Sequence, residues 1–359
     1  MTCFFCATPY HVLLATIMKI TSLKEETADL VLYNHFKDAY ALYENLKRTT
    51  LFSNVYFINE NNYTLFNKLK RALHIVVPDR VVNRIAKRCV YNEIVFFAMD
   101  FLNASYIIGE YNRRDLKCTF SYGEDGIGTY MDRSVYSPSR KTELLLKNTG
   151  RIKWLDEIHN IYVLEPKLLQ INFNKQIRLI SLPPCLDFEE YLDILWPERK
   201  KDKIGRVVYL QEPFVEDLNQ KKSTEEKRVV EICQALAGES EFTVKLHPRT
   251  RNHSVNSKYI IKTSVPFECL LTSEELDNKI IISILSTAAI TPGLLYKRKP
   301  YIVFLYKLFP EIPLDSKTQE FIGCLTSLPL YSGRVFIPHD LNEMVHILKE
   351  LKSKQKINQ

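Results

Sequence analysis

Residues 242–249 read Phe-Thr-Val-Lys-Leu-His-Pro-Arg. The first five alternate in the way a buried strand does: Phe242, Val244 and Leu246 point one way, Thr243 and Lys245 the other. Proline has no N–H to give a sheet ladder, so Pro248 stops the strand and leaves His247 at its end. In open α/β sheets ligands bind beyond the carboxyl ends of the strands. With Lys245 and Arg249 flanking the imidazole, the guest expected at this strand end is an anion.

Other segments carry the same alternation of strand and helix. Thr2–Ala7 is a short apolar run closed by Thr8-Pro9, and residues 10–20 are apolar nearly all round, as in a packed helix. Strands are expected at Ala28–Tyr33, Asn54–Ile58, Ile94–Ala98, Ser105–Gly109 and Lys117–Gly123. Helices are expected at Ala39–Leu46, Leu65–Leu73 and Arg80–Lys87. The pattern changes around residues 178–199, where prolines, an acidic run and a basic run punctuate the chain. This predicts a first domain over 1–190 and a second over 191–359. The second series starts at Arg206–Gln211 and continues with a helix at Ser223–Leu236, where Ser223 and Glu226 have the spacing of a capping box. Strands follow at Tyr259–Lys262, Lys279–Ile284, Tyr301–Phe304 and Arg334–Ile337, and Asp340 is placed to cap a last helix. Such alternation predicts an α/β protein of two Rossmann-like domains, their parallel sheets facing a central cleft.

Bulk properties agree. A chain of 359 residues with 46% hydrophobic residues is long for one core and suits two domains. The formal charge of +7 favours an anionic substrate or membrane surface. The basic residues are dispersed rather than gathered in one stripe, and no zinc spacing appears, so nucleic acid is not an expected partner. Eight cysteines are scattered, and the two closest, Cys3 and Cys6, stand three apart on a strand and so point to opposite faces. Free thiols in a reducing, cytoplasmic compartment are expected. The first residues lack the charged region and cleavage site of a signal peptide, and no apolar run approaches the ~20 residues of a membrane span.

Two further stretches carry chemistry. Phe120-Ser-Tyr-Gly-Glu-Asp-Gly-Ile-Gly-Thr129 ends a strand at Gly123 with the adjacent acids Glu124 and Asp125, while Gly126 and Gly128 allow a sharp turn and close approach to a ligand. Mutual repulsion between the acids is expected to raise one pKa, which suits a general base; a plain Asp-Gly turn has the same residues. In residues 281–290 a buried strand leads into Ser286-Thr287. There hydroxyls and amides form either an anion cradle or a simple helix cap.

Taken in order, Glu124-Asp125-Gly126, His247-Pro248 and Ser286-Thr287 resemble the bacterial sialyltransferases of glycosyltransferase family 52, the lipooligosaccharide sialyltransferases. Lys245–Arg249, Ser283–Thr287 and Cys6–Tyr10 also fit that family. The resemblance implies a GT-B-like glycosyltransferase with Glu124 or Asp125 as general base and His247 as general acid. It implies donor contacts from Lys245, Pro248, Arg249, Ser283, Ser286 and Thr287, and a cleft loop at Thr8 and Gly126. Related enzymes place the base after the first strand of the second domain, where Glu212, Glu216 and Asp217 stand here. The implied donor is CMP-sialic acid, a CMP-sugar attacked with inversion and without a metal or other cofactor. The implied acceptor is a terminal galactose-type hydroxyl of a lipooligosaccharide or capsular glycan. A homodimer and peripheral contact with an anionic membrane stay open; Lys68–Arg71, Lys87-Arg88 and Arg199–Lys203 are the basic segments available for the latter. A glucosyl- or Kdo-transferase on the same scaffold, or a non-catalytic nucleotide-sugar-binding protein, would have many of the same residues.

Overall fold

The computed structural model describes residues 1–59, 78–97, 101–130, 154–170, 175–181, 187–201, 203–212, 220–247, 260–261, 263–271, 275–310 and 316–357. They form two compact units, Met1–Pro197 and Glu198–Gln359.

The first unit is built on a seven-stranded parallel sheet. Its strands are β1 (Thr2–Cys6), β2 (Ala28–Tyr33), β3 (Asn54–Ile58), β4 (Glu93–Phe96), β5 (Thr119–Gly123), β6 (Ile158–Val163) and β7 (Gln176–Leu179), in the order β3-β2-β1-β4-β5-β6-β7. All five residues of β1 are buried, which is why the run is continuously apolar instead of alternating: helices cover both faces of a parallel sheet. The order reverses between β1 and β4, so the carboxyl end of β1 lies at the switch point where such sheets open a crevice. The helix Pro9–Ile20 starts there. Proline takes its first position, where no N–H is needed, and the Thr8 hydroxyl accepts the N–H of His11 at 3.2 Å.

The second unit has six parallel strands: β8 (Val207–Leu210), β9 (Phe242–Lys245), β10 (Ile260–Ile261), β11 (Ile280–Ser283), β12 (Tyr301–Phe304) and β13 (Val335–Phe336). Their order is β10-β9-β8-β11-β12-β13. With its own strands counted from one, this is the 3-2-1-4-5-6 order of a Rossmann sheet, and the switch point falls between β8 and β11. The last helix, Leu341–Ile357, is capped by Asp340, whose Oδ1 accepts the Glu343 N–H at 2.9 Å. Its Lys352 ammonium donates to the carbonyls of Leu236 and Ala237, satisfying the end of the helix Gln220–Ala237.

Several expectations need correction. Ser105–Gly109 is not a strand but part of the helix Phe101–Arg113. Ala104, Ile107, Ile108 and Tyr111 are all buried, and their i, i+3, i+4, i+7 spacing outweighs the β-branched pair at its centre. Ser223 does not open its helix, which is already formed at Gln220. Glu226 turns inward and accepts the Tyr209 hydroxyl at 3.0 Å. Strand β6 was not anticipated, because His159 and Asn160 interrupt its apolar run; Asn160 is buried and donates to Ser121 and Glu93 on neighbouring strands. Arg199 is buried, not part of a basic surface, and donates to the Cys269 carbonyl at 3.4 Å. The helix Asp187–Leu195 runs through the expected boundary at 190/191 and packs on Ala39–Arg48 in the first unit, where Asn45 donates to the Leu195 carbonyl. Leu65–Leu73, with its basic segment, lies outside the described residues, as do Glu216, Asp217, Pro248 and Arg249. Among the described residues no helix is long and apolar enough to cross a membrane.

Candidate active site

The two acids after β5 have opposite environments. Glu124 is fully buried, and its oxygens are taken up inside the unit. Oε1 accepts the Tyr10 hydroxyl at 2.8 Å; Oε2 accepts the Leu164 N–H at 2.8 Å and the Tyr130 hydroxyl. Burial first, and the Glu124 charge second, hold the Tyr130 phenol well above its ordinary pKa, so it stays a donor. Glu124 therefore ties β5 to the first helix and to the segment after β6.

Asp125 points the other way, with a side chain 37% exposed. Its Oδ1 lies 2.6 Å from Nε2 of His11, an imidazole only 2% exposed. The Ala7 N–H donates to Nδ1 of the same ring at 3.2 Å. An N–H can only donate, so Nδ1 is the acceptor, Nε2 carries the hydrogen, and it is given to Asp125. The ring is clamped further by stacking on Phe97, with centroids 5.6 Å apart. The Asp125 backbone N–H donates to the Thr129 hydroxyl at 2.7 Å, and Gly126 takes φ +87°, which closes the turn. One carboxylate oxygen is thus fixed by an oriented imidazole and the other is left for solvent or substrate. Thr8, expected in a binding loop, is spent as the helix cap that brings His11 to this place.

In the second unit the carboxyl ends of β9, β8 and β11 bring together His247, Glu212 and the Ser283–Thr287 turn. At ~4.8 Å between strands, β9 and β11 lie roughly 10 Å apart with β8 between them. His247 stands two residues beyond β9 and is half-buried. Lys245, expected to face an anion, is instead buried, and its ammonium donates to the carbonyls of Leu246 at 3.2 Å and Thr263 at 2.6 Å. Burial pulls its pKa down to about 8, against the opposing pull of Glu268. Ser283 is also buried, and its hydroxyl accepts the Ser286 N–H at 3.0 Å. Ser286 and Thr287 are partly exposed at the start of a 3-10 turn, and the Ser286 side chain makes no capping bond there. Glu212 holds the turn from beneath: its Oε1 accepts the Leu285 N–H at 2.6 Å, and burial pushes its pKa up to about 8.

Of the residues proposed from the sequence, Asp125, His247, Ser286 and Thr287 lie accessible at strand ends, while Glu124, Lys245 and Ser283 are internal supports. His11 was missed, although its signal was present. It sits in the first turn of a helix that begins where β1 ends, a position whose side chain reaches back toward the strand ends. Among the described residues no cluster of His, Cys, Asp or Glu has the grouping of a metal site.

Residues 2–304 match the family described as Alpha-2,8-polysialyltransferase (POLYST). The chain belongs to this polysialyltransferase family. It is thus a sialyltransferase-type glycosyltransferase, although the matching family is not the family 52 that the motifs resemble. A search of the curated proteins found no match. Among solved structures, the polysialyltransferase-family chain is similar to Arabidopsis thaliana UGT89C1 complexed with UDP, at TM-score 0.54 and 11% identity over 99% of this chain and 93% of that one. The UDP-GlcNAc 2-epimerase of Methanocaldococcus jannaschii gives 0.53 and 13% over 97% and 91%. The spinosyn rhamnosyltransferase SpnG gives 0.51 and 8% over 99% and 91%. At these identities the likeness is one of fold, and the fold class is GT-B-like.

Proposed function

We propose that this member of the polysialyltransferase family transfers sialic acid from CMP-sialic acid to the terminal sialic acid of an acceptor glycan, in α2,8 linkage. The family's description, Alpha-2,8-polysialyltransferase, supports that linkage. Asp125 is the general base: its free oxygen takes the proton of the attacking hydroxyl while His11 holds the other. The departing sugar has oxocarbenium character, and negative charge grows on the CMP phosphate as it leaves. His247 is the general acid for that phosphate, with Ser286, Thr287 and Arg249 as further donors. Attack opposite the leaving group inverts the anomeric centre, and these donors do the work a divalent metal does elsewhere. The observation that carries the reading is the accessible Asp125 carboxylate fixed by His11 at a strand end.

The test is incubation of purified protein with CMP-sialic acid and an α2,8-linked sialic acid trimer, in EDTA, with mass analysis of the products. Chain growth by sialic acid units is expected, and loss of Asp125 as the amide should lower turnover about 10²–10⁴-fold. A lactose-type acceptor run in parallel addresses the galactose acceptor of lipooligosaccharide enzymes; product there alone would move the acceptor assignment. Transfer only from a CMP-Kdo or nucleotide-glucose donor would overturn the reading.

A further inference from the structure

In the second unit His247, Glu212, Ser286 and Thr287 occupy the carboxyl edge of the sheet. At the opposite edge, where β11, β12 and β13 begin, lies a cavity of about 330 Å³. It is lined by Lys297, Arg298, Lys299, Tyr301, Arg334 and Asp277, four cations to one carboxylate. Along β11 the two edges are roughly 13 Å apart at ~3.3 Å per residue, so a ligand held here is not the one held at Ser286.

Asp277 leaves the cluster strongly positive. Its Oδ2 takes Arg298 Nη1 at 3.2 Å and its Oδ1 takes the Lys299 backbone N–H at 2.7 Å. Among the described residues Lys297, Lys299 and Arg334 have no carboxylate partner. The Arg334 guanidinium lies over the Tyr301 ring, 4.2 Å from its centroid, a contact that fixes the group without using its N–H donors. Lys354, from the last helix, adds a cation within electrostatic range of Arg334 and Tyr301, itself paired with Glu350 at 2.6 Å. Lys297 ends the helix Thr291–Tyr296 at φ 53°, ψ 40°, the left-handed conformation that glycine usually takes there. A lysine at that point sets three successive cations on one short turn. Like-charge repulsion among them eases if an anion sits between.

We propose that this cavity binds a phosphate group. Forked guanidinium donors and flexible ammonium groups suit its tetrahedral oxygens, and a half-open hollow of about 330 Å³ has room for one phosphorylated group. A soluble phosphate ester and the headgroup of an anionic membrane lipid share this chemistry. The assignment is independent of the sialyl-transfer reading.

The test uses the full chain at low salt, with glycerol 3-phosphate in calorimetric titration and phosphatidylglycerol vesicles in co-sedimentation, phosphatidylcholine vesicles serving as blank. The variant Lys297→Gly/Arg334→Gln removes two cations while easing the turn, and Lys299→Gln is a second. Binding of the ester, weakened at least 10-fold in both variants, supports a soluble ligand. Binding confined to phosphatidylglycerol vesicles and lost in the variants supports a headgroup. Melting curves of both variants are run beside the titrations, and binding lost at an unchanged melting temperature does not report unfolding. Binding of neither probe, or equal binding by parent and variants, overturns the proposal.

Discussion

A carboxylate whose oxygens are saturated inside a folded chain has little left for a substrate, and that separates Glu124 from Asp125. Replacing Glu124 with Gln puts an NH2 group where donors already converge from Tyr10, Tyr130 and Leu164. Leaving buried donors unmatched costs about 1–3 kcal/mol, so Glu124→Gln should melt several degrees below the parent. Asp125→Asn should melt with the parent and lose turnover. The two variants are compared by calorimetry and by initial rate; a stable, inactive Glu124→Gln beside an active Asp125→Asn would exchange the assignments. His11 acts through Asp125. His11→Phe keeps the ring stacked on Phe97 but removes the hydrogen bond, and kcat should fall about 10- to 100-fold with KM little changed. His11→Gln offers a donor near the position of Nε2 and should recover part of the loss.

Elements transmit these effects because the strand ends are packed tightly. A Cβ on Gly123, the last residue of β5, would clash with the edge of the Phe97 ring, and that ring stacks on His11. Gly123→Ala should therefore shift Phe97, loosen His11 from Asp125, and lower both melting temperature and kcat; an unchanged kcat would break that chain of contacts. Much of this was legible in advance. The strands ending at Cys6, Gly123 and Lys245 announced themselves because proline, glycine or a polar pair stops an apolar run. Side-chain direction was not legible. Glu124 and Asp125 are adjacent acids in the sequence, and only the tyrosines at 10 and 130 decide which is inward. Lys245 looked like an anion ligand because it flanks His247, but both faces of β9 are covered, so its ammonium ends on backbone carbonyls. The helix at 101–113 was hidden because a pair of isoleucines reads as strand until the window reaches Ala104 and Tyr111.

At the scale of the whole chain, the second unit has several buried carboxyls. Burial raises Glu212 to about 8 and Glu226 to about 7, and raises Glu268 as well. A carboxyl with a raised folded pKa is protonated in both states below the unfolded value of about 4.5. As pH climbs past that, the unfolded chain ionises first and the fold loses stability, until the folded group ionises too. Stability of this unit should therefore fall between about pH 5 and pH 8. The loss is on the order of a few kcal/mol, because each tenfold change in an acidity constant is worth about 1.4 kcal/mol. Lys245, lowered to about 8, acts in the opposite sense and only above that pH. Melting curves at pH 5.5 and 8 test this. Glu212→Gln should flatten the difference by raising the value at pH 8, and a parent that melts higher at pH 8 would contradict the assignment.

The described cysteines are all free, and Cys3, Cys6, Cys233 and Cys269 are buried. Burial holds the thiols of Cys3 and Cys6 in β1 well above the ordinary range and that of Cys233 at about 12. An alkylating reagent meets a thiolate there only after the surrounding layers part. The chain thus carries a chemical timer in each half. Mass-resolved labelling at 3 and 6, set against labelling at 233, would reveal whether the halves come apart together or one before the other, with no probe added to the sequence.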